Sequence, residues 1–244
     1  MIRILLLSLF CFTFFSFPGL SAQDITGNEL LSRAIAYHDP DNAWHDFKAT
    51  LFISLETPDH PVRKSEVTLN FPAEYFKLVV RTDSITTEEV IDKGLCSLVV
   101  NGRKIKNKTN DSSNNPQPCA TTEMMKNYYT YLYGLPMKLR DKGTILDPAV
   151  VKKSFKGKEY LTLKVNYEEE VGKDTWYFYF NPDNYALEAY QFFHNKAAKD
   201  GEYILLEGIE SVKGIKIPKK RSWFNNKDSQ LLGSDLLTSY KALH

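Results

Sequence analysis

The chain has 244 residues and a formal net charge of +1, with 25% of its residues charged. Because acidic and basic residues are interspersed, the charge gives no electrostatic basis for binding nucleic acid or an anionic membrane surface. Aromatic residues, mostly Tyr and Phe, make up 13% of the chain, a composition that suits β-strands and apolar pockets.

The N-terminus has the parts of a secretory signal peptide. Arg3 precedes an apolar run from Ile4 to Phe17, and Ala22 comes before polar residues. The run is shorter than the roughly 20 residues that span a bilayer. We expect a signal peptide over residues 1–22 and an exported, periplasmic mature chain without a transmembrane segment. The alternative is an uncleaved membrane anchor.

The mature chain, residues 23–244, reads as a single domain that opens with a helix. Apolar residues at helical spacing run from Leu30 to His38, and Asp39-Pro40 ends the pattern. Strand patterns with turns between them follow from Lys48 to Val100. The segment from Lys106 to Pro118 is rich in Asn, Ser and Pro and is expected to form an exposed loop.

A second helix is predicted from Thr121 to Tyr133, where Gly134 and Pro136 stop it. Its apolar face includes Met125, Tyr129 and Leu132. Two interpretations remain open for this helix. It packs on the sheet to complete the core, or it covers an apolar cavity, for which flexible Met and amphipathic Tyr side chains are suitable lining.

The segment from Asp174 to Phe224 has four aromatic-rich runs separated by turn residues, the pattern of an antiparallel meander. Period two sends Trp176, Phe178 and Phe180 to one face and Tyr177 and Tyr179 to the other. Aromatic side chains therefore lie on both faces, and the pattern does not decide which one points inward. With the preceding strands, the count is about eleven. The predicted fold class is mainly β: a curved antiparallel sheet or incomplete β-barrel covered by the N-terminal and mid-chain helices.

Two cysteines remain in the mature chain, Cys96 and Cys119. In an oxidising compartment they would form a disulfide stabilising the fold by roughly 3 kcal/mol in the chain-entropy model. The alternative is two separate thiols, with Cys96 buried in its strand.

Few residues form a pattern typical of a catalytic or metal-binding site. His38, Asp39 and His45 are close enough in sequence to be weak candidates for a metal site, but a proline turn intervenes and the helical spacing of metalloprotease motifs is absent. The structural interpretation is that Asp39 starts the turn and His38 closes the helix. No catalytic motif is recognisable, so no catalytic residue and no cofactor is predicted. The basic cluster from Lys213 to Arg221 is interpreted as a charged edge strand that resists intermolecular pairing.

The order of elements resembles the periplasmic lipoprotein carrier and outer-membrane lipoprotein receptor (LolA/LolB-like) superfamily, whose fold is an incomplete β-barrel covered by helices. More closely, four segments resemble a group of secreted Bacteroidetes proteins of unassigned function: Ala36 to Pro40, Tyr133 to Leu139, Asp200 to Ile204 and Pro218 to Arg221. The carrier resemblance implies a hydrophobic cavity for acyl chains between the sheet and the helices.

The leading hypothesis is an exported protein that binds a hydrophobic small molecule or acyl chain, with an envelope protein as a further partner. The predicted lining residues are Met125, Tyr129, Leu132, Trp176, Phe178 and Phe180. One alternative is a non-catalytic structural or interaction protein of the envelope with a filled interior. Another is a metal-dependent hydrolase that uses His38, Asp39 and His45.

Overall fold

The computed structural model describes residues 25–105 and 118–243. The signal peptide expected over residues 1–22 and the loop predicted from Lys106 onward, as far as residue 117, lie outside the described residues. No helix in the described part is long and apolar enough to cross a membrane.

One continuous antiparallel sheet organises the chain, and consecutive strands pair with each other except β6 and β7, which α2 separates in the chain. The strands are β1 (Lys48–Thr57), β2 (His60–Asn70), β3 (Tyr75–Thr82), β4 (Ile85–Asp92), β5 (Leu95–Val100), β6 (Arg103–Lys104), β7 (Thr144–Phe155), β8 (Lys158–Tyr167), β9 (Thr175–Phe180), β10 (Leu187–Phe193), β11 (Glu202–Val212), β12 (Ile215–Asn225) and β13 (Leu231–Ala242).

The spatial order is β6-β5-β4-β3-β2-β1-β13-β12-β11-β10-β9-β8-β7. The first and last strands of the described chain thus pair at the centre, and β6 and β7 form the two open edges. The mainly β, incomplete-barrel prediction is confirmed. The sheet has thirteen strands rather than about eleven; two-residue β6, for example, is too short for periodicity to reveal.

Two α-helices lie on the same face of this sheet, which we call the inner face. Helix α1 (Gly27–His38) begins with a capping box, in which Thr26 and Glu29 satisfy each other's main-chain amides. It packs on β7 and β12. Helix α2 (Pro118–Gly134) begins three residues before the predicted Thr121 and packs on β4 and β5.

The hydrophobic core lies between the inner face and the two helices. Leu30 and Leu31 of α1 and Tyr129 and Tyr133 of α2 are buried in one cluster with side chains of the sheet. Gly134 ends α2 where any larger residue would collide with the Trp44 ring, since an added Cβ would lie 2.4 Å from that ring. Close packing therefore requires glycine at the last residue of α2.

The structure decides the orientation of the aromatic meander. Phe178 and Phe180 are fully buried in the inner core, and Trp176 packs against it. On the outer face, Tyr179 is also buried, because Phe155 of β7 stacks on its ring at a centroid distance of 4.2 Å. Aromatic residues occupy both faces because the outer one has a small cluster of its own.

The edge-strand interpretation of the basic cluster is wrong. From Lys216 onward its residues lie on β12, which pairs with β11 and β13 in the interior of the sheet. Arg221 is 1% exposed and points to the inner face beneath α2. Sequence periodicity gives the spacing of charges along a strand but not the position of that strand in the sheet.

Candidate ligand-binding site beneath helix α2

Helix α2 is attached to the sheet near both of its ends. At its N-terminal end, Cys119 forms a disulfide with Cys96 of β5, with a Cα–Cα distance of 5.4 Å. Thr122 also donates a 2.8 Å hydrogen bond to Glu89 of β4. Near the C-terminal end, the Arg221 guanidinium donates a 3.1 Å hydrogen bond to the Leu132 carbonyl. The helix is therefore positioned by contacts that lie far apart in sequence.

A cleft of about 400 Å³ lies between the N-terminal half of α2 and strands β2 to β4. Its volume is within the range of about 300–1,000 Å³ found for small-molecule sites. Apolar side chains of the sheet form its base and polar ones its surroundings. The lining residues are Leu69, Asn70, Phe71, Glu74, Tyr75, Phe76, Ile91, Gly94, Glu123 and Lys126.

The six lining residues predicted from sequence lie on the inner core rather than around this cleft. Tyr129, Leu132, Phe178 and Phe180 are buried there, while Met125 and Trp176 pack against the core with partial exposure. The helix was predicted correctly, but the side chains it contributes to the cleft are Glu123 and Lys126. The sheet side of the cleft is formed by apolar residues at the end of β2 and on β3 and β4. Their apolar pattern was the signal in the sequence that could have indicated this part of the cleft.

A polar row crosses the inner face under the C-terminal half of α2. Cross-strand pairing places Arg63 (β2), Leu55 (β1), Asp235 (β13) and Arg221 (β12) side by side. Arg221 and Asp235 are 1% and 3% exposed. This arrangement is unusual because buried charges are costly unless they are paired and hydrogen-bonded.

Burial is the largest cause of the pKa shifts in and around the row. It raises the pKa of Asp235 to about 6, although Arg221 and Arg63 both act to lower it. Burial likewise raises the pKa of Tyr133, and the Arg221 guanidinium opposes that shift from 4.0 Å above the ring centroid. The carboxyl group therefore changes its charge at a mildly acidic pH.

The row and the tyrosines around it have more hydrogen-bonding groups than partners for them. Within the described part of the chain, Arg221 donates to the main-chain carbonyls of Pro218 and Leu132 and forms no ion pair. Four buried polar atoms around the row have no hydrogen-bond partner there: Arg63 Nε, Arg221 Nε and the hydroxyls of Tyr133 and Tyr190. Such groups are rare in folded proteins and call for an explanation.

The weak metal candidates have structural partners. His38 is fully buried, with Nδ1 2.6 Å from the Lys216 carbonyl and Nε2 accepting from the Leu187 amide at 2.9 Å. Asp39 accepts from the amides of Ala43 and Trp44. His45 is exposed beside Asp46. Among residues 25–105 and 118–243, no three His, Cys, Asp or Glu side chains are grouped as metal ligands.

His38 should therefore contribute to stability in a pH-dependent way. Burial lowers its pKa from 6.5 to about 4, so its contribution is complete above pH 6.5 and is lost as the pH falls toward 4. We expect His38→Ala to lower the free energy of unfolding at pH 7 by about 2–4 kcal/mol, since two buried main-chain groups lose their partner.

Urea unfolding at pH 7 and pH 4.5 measures this effect, and the difference between wild type and His38→Ala should shrink at the lower pH. The exposed His45 is the control, and His45→Ala should change stability by less than about 0.5 kcal/mol. Equal costs for the two substitutions, or a wild type stabilised by zinc, would contradict the structural role.

Comparison with known proteins gives the family. The model of a family of unknown function (DUF6503) matches residues 3–239. The chain belongs to the DUF6503 family. No curated protein matches it.

A solved structure of the LolA superfamily is similar in fold to this DUF6503 chain. A LolA superfamily protein from Nitrosomonas europaea has a TM-score of 0.53 and 11% sequence identity, and the match covers 90% of this chain and 94% of that one. A DUF1329 family protein from Desulfovibrio piger has a TM-score of 0.48 and 9% identity, with 89% and 93% covered. At such identities the likeness concerns the fold.

Proposed function

We propose that this DUF6503 protein is an exported, periplasmic binding protein that holds an apolar ligand, such as an acyl chain, between its sheet and α2, in envelope lipid or lipoprotein handling. The observation that carries the proposal is the cleft of about 400 Å³ beneath α2. Leu69, Phe76 and Ile91 are 1–4% exposed at its base, and charged groups lie around them.

The composition of this cleft favours an amphiphile. Each methylene group moved from water into an apolar site contributes roughly 0.8 kcal/mol, so an acyl chain gains affinity along the base of the cleft. Glu74, Glu123 and Lys126 lie beside the cleft, so its rim stays hydrated while the acyl chain lies on the apolar base. The LolA-like fold supports the same class of function by analogy.

Native mass spectrometry on protein purified from its own periplasm, followed by lipid extraction, tests the proposal. We expect an additional mass that extracts as an acyl-chain lipid. A bare polypeptide, together with no binding of the apolar fluorescent dye N-phenylnaphthylamine, would contradict the proposal. That result would favour a structural envelope protein with a filled interior.

Blocking the cleft from the helix side should abolish binding without unfolding the protein. Lys126 is partly buried at the cleft, so the indole of Lys126→Trp would occupy the space of the ligand. We expect at least a tenfold loss of dye affinity, about 1.4 kcal/mol or more, measured by fluorescence titration.

Met124 on the same helix provides the matched control, because it is 60% exposed and does not line the cleft. Met124→Trp should bind the dye as the wild type does. If both tryptophan variants bind with wild-type affinity, the ligand does not occupy this cleft.

A further inference from the structure

We propose that the polar row of Arg63, Asp235 and Arg221 binds the anionic head group of the ligand, and that the ligand is a long-chain monocarboxylate of the fatty-acid type. This inference rests on the proposed function and specifies the ligand class. The apolar cleft would hold the tail of the molecule, and the row would hold its carboxylate.

Strand β2 connects the two parts of this site. Arg63 of the row and Leu69 of the cleft are six residues apart and lie on the same face of β2. At about 3.3 Å per residue, they are roughly 20 Å apart. The residues between them on that face, Ser65 and Val67, are buried beneath α2. A ligand that reaches both parts therefore needs an extended acyl chain, and its entry displaces α2 from Ser65 and Val67.

Helix α2 covers both parts. Glu123 and Lys126 border the cleft, and Tyr129 and Tyr133, one and two turns further on, lie over the row. A second pocket, of about 260 Å³, opens beside Tyr128 and is lined by Leu55, the residue between Arg63 and Asp235 in the row. This pocket reaches the row at Leu55, and none of Arg63, Asp235 and Arg221 lines it.

The unpartnered atoms of the row indicate what it binds. Both Nε atoms are donors without a partner in the described protein, and the Tyr133 and Tyr190 hydroxyls can also donate. Hydrogen bonds between guanidinium groups and carboxylates are about twice as strong as neutral ones. A carboxylate would satisfy these donors, whereas a hydroxyl head group offers less acceptor capacity and no charge.

The charge balance selects a monoanion. Two guanidinium groups, which stay protonated in proteins, face one carboxylate in the row, so one positive charge remains uncompensated. Glu202 lines the pocket beside Tyr128, but it is four residues along β11 from Leu206, the residue opposite Arg221. Along β11 this corresponds to about 13 Å from the position opposite Arg221, although the Glu202 charge does act on Tyr190 beside the row.

Displacement of bound N-phenylnaphthylamine from the disulfide-bonded mature protein tests the head-group specificity, with hexadecanoate and the neutral hexadecanol as probes. We expect hexadecanoate to displace the dye at concentrations at least tenfold lower, the minimum for charged hydrogen bonds of about 1.5–3 kcal/mol. Arg221→Met and Arg63→Met should each reduce this preference, measured as the ratio of the hexadecanol and hexadecanoate concentrations in the same variant, because Arg221 also holds α2 through Leu132.

Arg81→Met is the control, because Arg81 is an exposed arginine that pairs with Glu66 away from the row; it should keep the preference. Arg63 is only partly buried, so Arg63→Met remains informative if Arg221→Met fails to fold. Equal displacement by the two probes in the wild type, or a preference that survives in both row variants, overturns the carboxylate site while leaving the proposed function intact. Failure of the dye itself to bind contradicts the proposed function instead.

Discussion

Replacing Phe178 with alanine is expected to lower the free energy of unfolding by about 3–5 kcal/mol, the usual cost of deleting a buried aromatic ring. Phe178 is fully buried on the inner face, with its ring centroid 6.0–6.1 Å from those of Trp176 and Tyr190. Because the ring is enclosed by other core side chains, its removal would leave a cavity. Urea or thermal unfolding of the purified protein measures the loss.

The neighbouring Tyr177 provides the matched comparison, because it points to the outer face and is only partly buried. Its ring contacts the side chains of Lys153 and Lys196. These flexible side chains can move into the space that the ring leaves. Tyr177→Ala should cost less than half as much as Phe178→Ala. Equal or reversed costs would mean that the meander has the opposite orientation.

Replacing Asp235 with asparagine is expected to stabilise the protein relative to wild type as the pH rises. Burial raises the pKa of Asp235 from 3.8 to about 6. A carboxyl group whose pKa is raised by folding contributes fully below its unfolded pKa, and that contribution is lost as the pH rises through the folded pKa. A shift of this size corresponds to about 3 kcal/mol, which the neutral amide would not lose.

The measurement is the difference in unfolding free energy between Asp235→Asn and wild type at several pH values. It should increase by up to about 3 kcal/mol between pH 4 and pH 7. Taking the difference cancels the contributions of other groups, including His38. Asp183→Asn, at an exposed turn position, is the control and should give a flat difference. A flat profile for Asp235→Asn as well would show that this carboxyl group is hydrated in the folded protein.

Local sequence patterns were sufficient to predict most of the helices, strands and turns. Turn residues such as Lys93-Gly94 have positive φ values and mark a hairpin in any context. The apolar spacing from Leu30 to His38 likewise predicted α1, because a helix and its caps depend on residues a few positions apart. The mainly β class and the two helices followed from such short-range preferences.

The candidate site was less predictable, because its parts are brought together by long-range pairing. Arg221 and Asp235 are cross-strand neighbours only because β12 lies next to β13, and Arg63 joins them only because β13 also pairs with β1. From the sequence, Arg221 was one of several basic residues on a supposed edge strand. The chemistry of the row is therefore a property of the strand order.

By itself, the amino-acid sequence determined the alternation of strands and turns, the positions of two helices and the aromatic content of the closing meander, since these depend on neighbouring residues. The tertiary structure decided which face of the meander is inside, which side chains of α2 border the cleft and which charges are buried. Those features depend on how α2 and the thirteen strands pack, and packing joins residues that no local pattern relates.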